Sequence, residues 1–397
     1  MYKYVVALAI LFVFTAPALG QGSAQTGRDE VNTRFSEALF EAPQTAATTA
    51  AEPEIRLWEK LRFFSLPAWW VSDYDDVEAL QGIFLQASSA GFTGVELTVS
   101  LRVQDLSTPR VFTNDSTVSM SGLENAISLA HAAGLAVHLK VHLNSETGEW
   151  TAHLGQSWDD AQWAQFESTY RAAVGPYIDL ARELGVEWLV WGNELENFTR
   201  LSPSRFMSTA AWAKSRFGGR TTSYASHMGS EITAVPWGQP GFDIMVVNAW
   251  YRMCPDGTPR DQAFYETVWR DTIIPHIQAA RSAEVEVFFA EVGYRSISTG
   301  CYNPWDWSTP GTPDQAEQAE LWRAFVATMF REPWFLGFSV WDVQVKDNPT
   351  QPWETNYSPF GKEAEGVFHA LRDEAEAARQ EYIDSLPHRV YLPLLVR

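Results

Sequence analysis

Cysteine is nearly missing from this chain: its 397 residues include only Cys254 and Cys301. Two thiols without a nearby His pair do not make a zinc site, so no metal and no other cofactor is expected. Positive charge is also short, with 29 Lys and Arg against 49 Asp and Glu and a net charge of −20. Such a surface repels nucleic acid and anionic lipid, but it tolerates a neutral polymer. Beyond the N-terminus no apolar run is long enough to span a bilayer. A glycine-rich phosphate loop is absent after the first candidate strand, where the chain reads Pro67-Ala68-Trp69-Trp70, and this argues against a nucleotide-binding open sheet. No internal repeat appears. A hydrophobic share of 46% with 20% charged residues is that of an ordinary globular protein and excludes disorder of the whole chain.

Aromatic residues, in contrast, are plentiful: 18 Trp, 23 Phe and 13 Tyr. Some must fill a core, and a surplus in loops would suit ligands with flat apolar faces, such as pyranose rings. Residues 1–20 resemble a secretory leader. Lys3 opens it, Val5–Phe14 is apolar, and Ala18-Leu19-Gly20 supplies small residues for cleavage after Gly20. An uncleaved anchor is the alternative; cleavage implies a secreted protein. Residues 21–56 form a low-complexity linker, with the spacer Thr45–Ala51 and one short helix expected near Phe35–Phe40. The C-terminal residues 383–397 read as a tail, either an edge strand or a sorting or anchoring segment. The chain is expected to act as a monomer.

Residues 57–382 alternate between short apolar runs and longer amphipathic stretches. The expected strands are Arg62–Leu66, Gly94–Val99, Leu135–Leu143, Val186–Trp191, Thr221–Ser226, Phe242–Trp250, Val285–Glu291 and Phe335–Trp341. Consecutive apolar residues suit strands buried on both faces, hence a parallel sheet. The expected helices are Asp75–Ala90, Ser121–Ala133, Trp158–Leu184 with a break near Pro176, Pro203–Phe217, Asp261–Ala280, Thr312–Phe330 and Lys362–Arg379. Asp or Ser opens several of them and Gly closes them, as capping requires. The fifth unit is weak, with room for a short helix in Met228–Pro240. Eight βα units in about 320 residues predict an α/β fold, a (β/α)8 TIM barrel forming a single catalytic domain.

The active site of such a barrel lies at the C-terminal ends of its strands. Two glutamates meet that condition. Glu194 follows the fourth strand in Trp188-Leu189-Val190-Trp191-Gly192-Asn193-Glu194, and Glu291 ends the seventh in Val287-Phe288-Phe289-Ala290-Glu291. Two carboxyls facing each other are what glycoside hydrolysis needs, and a gap of about 5–5.5 Å gives retention through a covalent intermediate. The Asn193 amide is suited to the sugar 2-hydroxyl. Tyr294 and Arg295 are suited to hold Glu291 ionised and aimed, and Tyr294 is expected to touch substrate.

Asn193-Glu194, Glu291 and Trp341 at the ends of strands four, seven and eight resemble glycoside hydrolase clan A. More narrowly, the chain is similar to glycoside hydrolase family 113, the β-1,4-mannanases, over roughly residues 60–370. The similarity is carried by Gly192-Asn193-Glu194-Leu195, Glu291-Val292-Gly293-Tyr294-Arg295-Ser296, Leu139-Lys140-Val141-His142, Gly148-Glu149-Trp150 and Tyr357-Ser358-Pro359-Phe360-Gly361-Lys362. The resemblance implies a retaining endo-β-1,4-mannanase acting on mannan-type β-linked polysaccharide or oligosaccharide, with Glu194 as acid/base and Glu291 as nucleophile. Another clan A β-glycanase, an exo-β-mannosidase and a non-catalytic carbohydrate-binding barrel are the alternatives. The chain departs from the pattern at Asn248-Ala249-Trp250, where Asp-Ala-Tyr is expected, and at Val340-Trp341-Asp342, which lacks a second aromatic. Trp250 can stack but does not replace a phenol, so Tyr251 is the alternative for the missing Tyr.

His142 is expected to touch substrate. Lys140 lies on the same strand face, with an Asp or Glu partner as the plainer role. Trp150, Trp250 and Trp341 are expected to give at least two sugar platforms, with Trp69 and Trp70 along the cleft. Cys254 and Cys301 follow strands six and seven, and a disulfide at the cleft rim is favoured over two free thiols. Asn197-Phe198-Thr199 is a glycosylation sequon by pattern; a glycan beside Glu194 would block the cleft, so it is discounted.

Overall fold

The computed structural model describes residues 56–386 except 283 and 347–349. The leader, the linker apart from Arg56, and the tail from Pro387 lie outside the described residues. Eight parallel strands close into a barrel: β1 (Leu61–Leu66), β2 (Gly94–Val103), β3 (Ala136–Ser145), β4 (Trp188–Asn193), β5 (Thr222–His227), β6 (Met245–Asn248), β7 (Val287–Val292) and β8 (Phe335–Val340). Closure comes from β1, which pairs with both β2 and β8. A short strand, Val111–Phe112, runs antiparallel to the end of β2.

Nine α-helices are described: α1 (Val77–Ser89), α2 (Met120–Ala132), α3 (Asp160–Glu183), α4 (Glu196–Leu201), α5 (Pro203–Arg216), α6 (Gln262–Val268), α7 (Ile274–Ala280), α8 (Gln315–Ala327) and α9 (Glu363–Ser385). Asp76, Ser119, Asp159, Asp261 and Asp314 cap N-termini through their side chains, and Asp159 completes a capping box with Gln162. The fifth unit has a single 3-10 turn, Ser230–Thr233.

Three helix expectations need correction. α3 is one helix through Pro176: Val174, Tyr177, Ile178 and Ala181 are buried, and that face holds the helix across the missing N–H. The helix expected over Asp261–Ala280 is divided into α6 and α7 by a π turn, Trp269–Ile273, which buries Trp269. α9 continues to Ser385, six residues beyond Arg379 and into the expected tail. It is anchored there, because Tyr382 packs on Trp58 at 5.3 Å and lies under the Arg56 guanidinium.

The barrel interior has two tiers. The lower is apolar: Phe63, Trp188, Val190, Ala225, Val246, Phe288 and Ala290 form a cluster separate from the barrel–helix core. Gly94 makes room for it, since a Cβ there would lie 2.3 Å from the Phe63 ring. The upper tier is polar. Register pairs Glu96 with His138, Thr98 with Lys140, and Ser100 with His142, while Val95, Leu97 and Val99 join the core under the helices. β2 and β3 therefore alternate where the sequence suggested strands apolar on both faces.

β4 and β7 share an irregularity. Between Val190 and Asn193, β4 carries one more residue than β5 opposite, and between Phe289 and Val292, β7 carries one more than β8. Bulges of this kind bend a strand and re-aim the next side chains. The first ends just before Glu194 and the second encloses Glu291. β6 stops at Asn248, short of the expected Trp250, because the Ala249 N–H turns to the Glu291 carbonyl at 2.6 Å.

Candidate active site

Glu194 and Glu291 both lie at the barrel mouth and are almost fully buried, at 3% and 1% exposure. Glu194 adopts φ 49°, the one described non-glycine residue with positive φ. That left-handed backbone is costly for a side-chain-bearing residue, and the surroundings hold it. Its N–H donates to the Ala225 carbonyl at 2.8 Å. The next N–H, of Leu195, donates to the Tyr224 hydroxyl, which itself donates to Glu231 Oε1 at 2.5 Å.

Both Glu194 oxygens accept from uncharged groups. Asn248 Nδ2 donates to Oε1 at 2.7 Å and Trp150 Nε1 donates to Oε2 at 2.8 Å. Asn248 Nδ2 also donates to Asn193 Oδ1 at 2.9 Å. Behind Trp150 the His227 ring packs at 5.2 Å. His227 Nδ1 accepts from the Gly229 N–H at 2.9 Å, so Nε2 carries the proton toward Glu196 Oε2, 3.3 Å away. Burial works against ionisation of Glu196, but hydrogen bonds from His227 and Ser230 and the Arg200 charge bring its carboxyl down to about 2. Burial instead pushes Glu231 up to about 7.

Glu291 is held differently. Lys140 Nζ donates to its Oε1 at 3.1 Å, Trp250 Nε1 donates to Oε2 at 2.8 Å, and His142 Nε2 stands 3.7 Å from Oε1. The Lys140 ammonium also contacts Glu96 Oε1 at 2.6 Å, and both side chains are fully buried. Ser65 Oγ donates to the same Glu96 oxygen at 2.6 Å, and His138 Nδ1 lies 3.3 Å from Oε2. Burial pushes the Glu96 carboxyl up to about 7, with the Glu291 charge adding to the rise, while Lys140 and Ser65 oppose it. Burial, and then Lys140, hold His138 well below the ordinary histidine range.

Aromatic rings line the opening. Trp341 is half-buried and stacks on His142 at 6.0 Å, with Trp69 and Trp250 edge-on at 6.2 and 6.3 Å. Trp70 is exposed.

The structure thus gathers Lys140, His142, Trp150, Asn193, Glu194, Trp250, Glu291 and Trp341 at the mouth. Tyr294 and Arg295 are not among them. Tyr294 packs on Trp322 of α8 at 5.4 Å, beneath the helical layer, and burial pushes its phenol up. Arg295 donates to the Thr355 and Thr309 carbonyls and ties two loops together. Lys140 takes the plainer of its expected roles, against carboxylates. Trp150 and Trp250 spend their N–H groups on Glu194 and Glu291, and Trp250 supplies the hydrogen bond that its ring seemed to rule out. Tyr251 does not substitute for it, being buried against Trp269 and His276. Cys254 and Cys301 form a disulfide with a Cα–Cα distance of 5.4 Å, joining the loops after β6 and β7. Asn197 is buried and donates to Gln156, out of reach of a glycan.

Sequence reasoning missed Glu96, Asn248, Tyr224, His227 and Glu231 as parts of the site. The signal for Glu96 was parity, a carboxylate between two apolar residues on the strand beside Lys140. Among the described residues, no group of three or more His, Cys, Asp or Glu is arranged to hold a metal, and no helix is long and apolar enough to cross a membrane.

The sequence model described as Glycoside Hydrolase Family 113 matches residues 72–362. A GH113 β-mannanase from Alicyclobacillus acidocaldarius, solved in complex with ManMIm, is 25% identical with a TM-score of 0.66, covering 80% of this chain and 98% of that one. A structure described as a complex of a GH113 β-1,4-mannanase is 21% identical with a TM-score of 0.67, covering 79% and 99%. No curated protein matches. With the family model spanning most of the barrel and both glutamates, the chain belongs to glycoside hydrolase family 113 and is a glycoside hydrolase.

Proposed function

We propose that this protein is an exported, retaining endo-β-1,4-mannanase in which Glu291 attacks the anomeric carbon and Glu194 serves as acid and then base. The observation that carries the roles is the contrast in partners. An ammonium 3.1 Å from Glu291 favours the ionised form that a nucleophile needs. Glu194 accepts instead from the uncharged Asn248 amide and Trp150 indole, and its acid/base role follows from its being the second carboxyl of the pair.

In the first step a Glu291 oxygen bonds to the anomeric carbon while the glycosidic bond breaks, and the Glu194 proton goes to the leaving oxygen. In the second, water attacks the same carbon, gives its proton to Glu194, and the ester bond to Glu291 breaks. The Asn193 amide N–H is suited to the 2-hydroxyl, and the Trp341 face to a sugar ring. Mannan as substrate rests on the β-mannanases this chain is similar to. Export rests on the apolar leader with its small-residue cleavage site and on the disulfide, which suits an oxidising compartment.

The test is hydrolysis of β-mannan beside cellulose, xylan and galactan, with proton NMR following the anomer first released. Mannan cut with retention supports the reading. Another polymer cut with retention removes mannan and leaves the roles; inversion sinks the nucleophile role of Glu291.

A further inference from the structure

Lys140 has two carboxylate partners in the barrel interior, and the proposed reaction changes one of them. Its Nζ lies 2.6 Å from Glu96 Oε1 and 3.1 Å from Glu291 Oε1, and neither Lys140 nor Glu96 has any exposed surface. While Glu291 is free and Glu96 is ionised, two carboxylates share one ammonium. Once Glu291 is esterified to the sugar, its charge is gone. A buried ammonium left without a counter-ion costs far more than a surface one.

Resting on the double-displacement reading above, we infer that Glu96 is a positioning residue that takes over the Lys140 ammonium while Glu291 carries the sugar. The site is built for this exchange. Ser65 Oγ donates to Glu96 Oε1 and is itself 3.1 Å from Ser339 Oγ, so the carboxylate is anchored from β1 and β8. His138 faces Glu96 Oε2 from β3 at 3.3 Å. Lys140 Nζ lies 5.2 Å from the centre of the Trp341 ring, which closes the cluster on the substrate side. The groups facing Glu96 are therefore Ser65, His138, Lys140 and, beyond the ammonium, Glu291. The ammonium need not move: it keeps Glu96 and loses Glu291 in the first step, then regains Glu291 in the second.

This role differs from that of a scaffold residue. Glu96 acts through Lys140, so its charge matters only when Lys140 carries one. The test follows formation of the covalent adduct with an activated 2-fluoro-mannosyl fluoride. Mass spectrometry locates the sugar on the Glu291 peptide, and the rate is read in four proteins: native, Glu96→Gln, Lys140→Met, and Lys140→Met with Glu96→Gln. Glutamine keeps the shape and an oxygen acceptor for Lys140, but not the charge. The expected result is adduct formation on the order of 100-fold slower in Glu96→Gln than in the native protein. In the Lys140→Met background, Glu96→Gln should change the rate by less than about twofold. Equal slowing by Glu96→Gln in both backgrounds would mean a structural role and overturn the inference. If Glu96→Gln does not fold alone, Glu96→Asp, which keeps the charge and shortens the reach to Lys140, replaces it in both backgrounds: slowing in the native background that vanishes with Lys140→Met supports the inference, and a tenfold loss (about 1.4 kcal/mol) that persists with Lys140→Met overturns it. Absence of any sugar on Glu291 in the native protein would sink the nucleophile assignment and this inference with it. A native adduct with no effect of Glu96→Gln would sink the inference alone.

Discussion

The two halves of the barrel mouth hold their glutamates by opposite means. Around Glu291 the neighbours bear or can bear charge: Lys140, Glu96 one step below it, and His142 beside it. Around Glu194 they are an amide and an indole, with the ionisable groups Glu196, His227 and Glu231 set behind Trp150 and Tyr224. A carboxylate that must stay ionised is given a cation. The acid/base of the proposed reaction instead accepts from an amide and an indole. On the reading proposed above, the same side chain takes two tasks in two surroundings.

The most forceful way to break this comparison is to change the leaving group. Glu291→Gln is expected to cost about 10⁴-fold or more in kcat/KM on every substrate, because no covalent step remains. Glu194→Gln should cost about 10²–10⁴-fold on mannan, yet far less on an aryl mannoside whose phenol leaves without a proton. Equal losses on both substrates for both variants would remove the distinction between the two sides.

Trp250 tests the charged half. Trp250→Phe keeps an aromatic ring and deletes the N–H that donates to Glu291 Oε2 at 2.8 Å. A hydrogen bond to a charged group is worth about 1.5–3 kcal/mol, so kcat/KM should fall about 10- to 100-fold. Loss of a donor to the carboxylate also favours its protonated form, so the acidic limb of kcat/KM should move to higher pH. Trp250→Tyr should recover part of the loss if the phenol reaches the same oxygen. Equal rates for Phe and Tyr together with an unmoved limb would show that Trp250 contributes its ring alone.

Asn248 tests the neutral half. Asn248→Asp places a second negative charge where an amide now stands 2.7 Å from Glu194. That charge favours a protonated Glu194, and the acid is active when protonated, so the basic limb of kcat/KM should rise by about one pH unit. A limb that stays in place would mean that Asn248 does not tune the acid.

Much of the fold could be read from residue order because burial writes a strong pattern. All eight strands were expected close to where they lie, since β-branched and aromatic runs such as Val285–Phe289 have few other uses. The misses come from places where the pattern breaks. On β7, Phe288 and Ala290 point into the barrel and Phe289 toward Trp269 of the helical layer. Strict alternation would then send Glu291 toward the helices. The extra residue between Phe289 and Val292 turns it to the mouth instead, and one-residue insertions leave no mark in a period-two reading. Tyr294 was misplaced because nearness to Glu291 along the chain was taken for nearness in space. Trp250 was misread by ring type rather than by its N–H. Asn248 was noticed as a departure, yet its partner is on β4, and a contact between strands is not encoded by spacing.

The smallest expected effect again compares the halves, through stability. Each side has a buried carboxyl pushed up to about 7, Glu96 below Glu291 and Glu231 behind Glu194, with burial the main cause for both. In the unfolded chain they ionise near the ordinary 4.5. Between those values these two carboxyls bind more protons in the folded state than in the unfolded one, so their contribution to stability falls as pH rises from about 4.5 to about 7 and levels off above. Glu317, also pushed up to about 7 by burial, adds a slope of the same sign. Glu196 is brought down to about 2, so its contribution is lost only below the ordinary range and leaves this window flat. Buried His138 and His276, held below the ordinary histidine range, and Lys60 and Lys362, brought down to about 8 and about 7, add slopes of the opposite sign. The readout is therefore a difference between proteins: from pH 5 to pH 8 the native protein should lose roughly 1–3 kcal/mol more stability to urea unfolding than Glu231→Gln does. Glu231→Gln keeps an oxygen acceptor for Tyr224 and no longer titrates, so it should flatten part of that slope. If Glu231→Gln leaves the slope as steep as in the native protein, the buried Glu231 carboxyl behind Glu194 does not contribute to the pH dependence of folding.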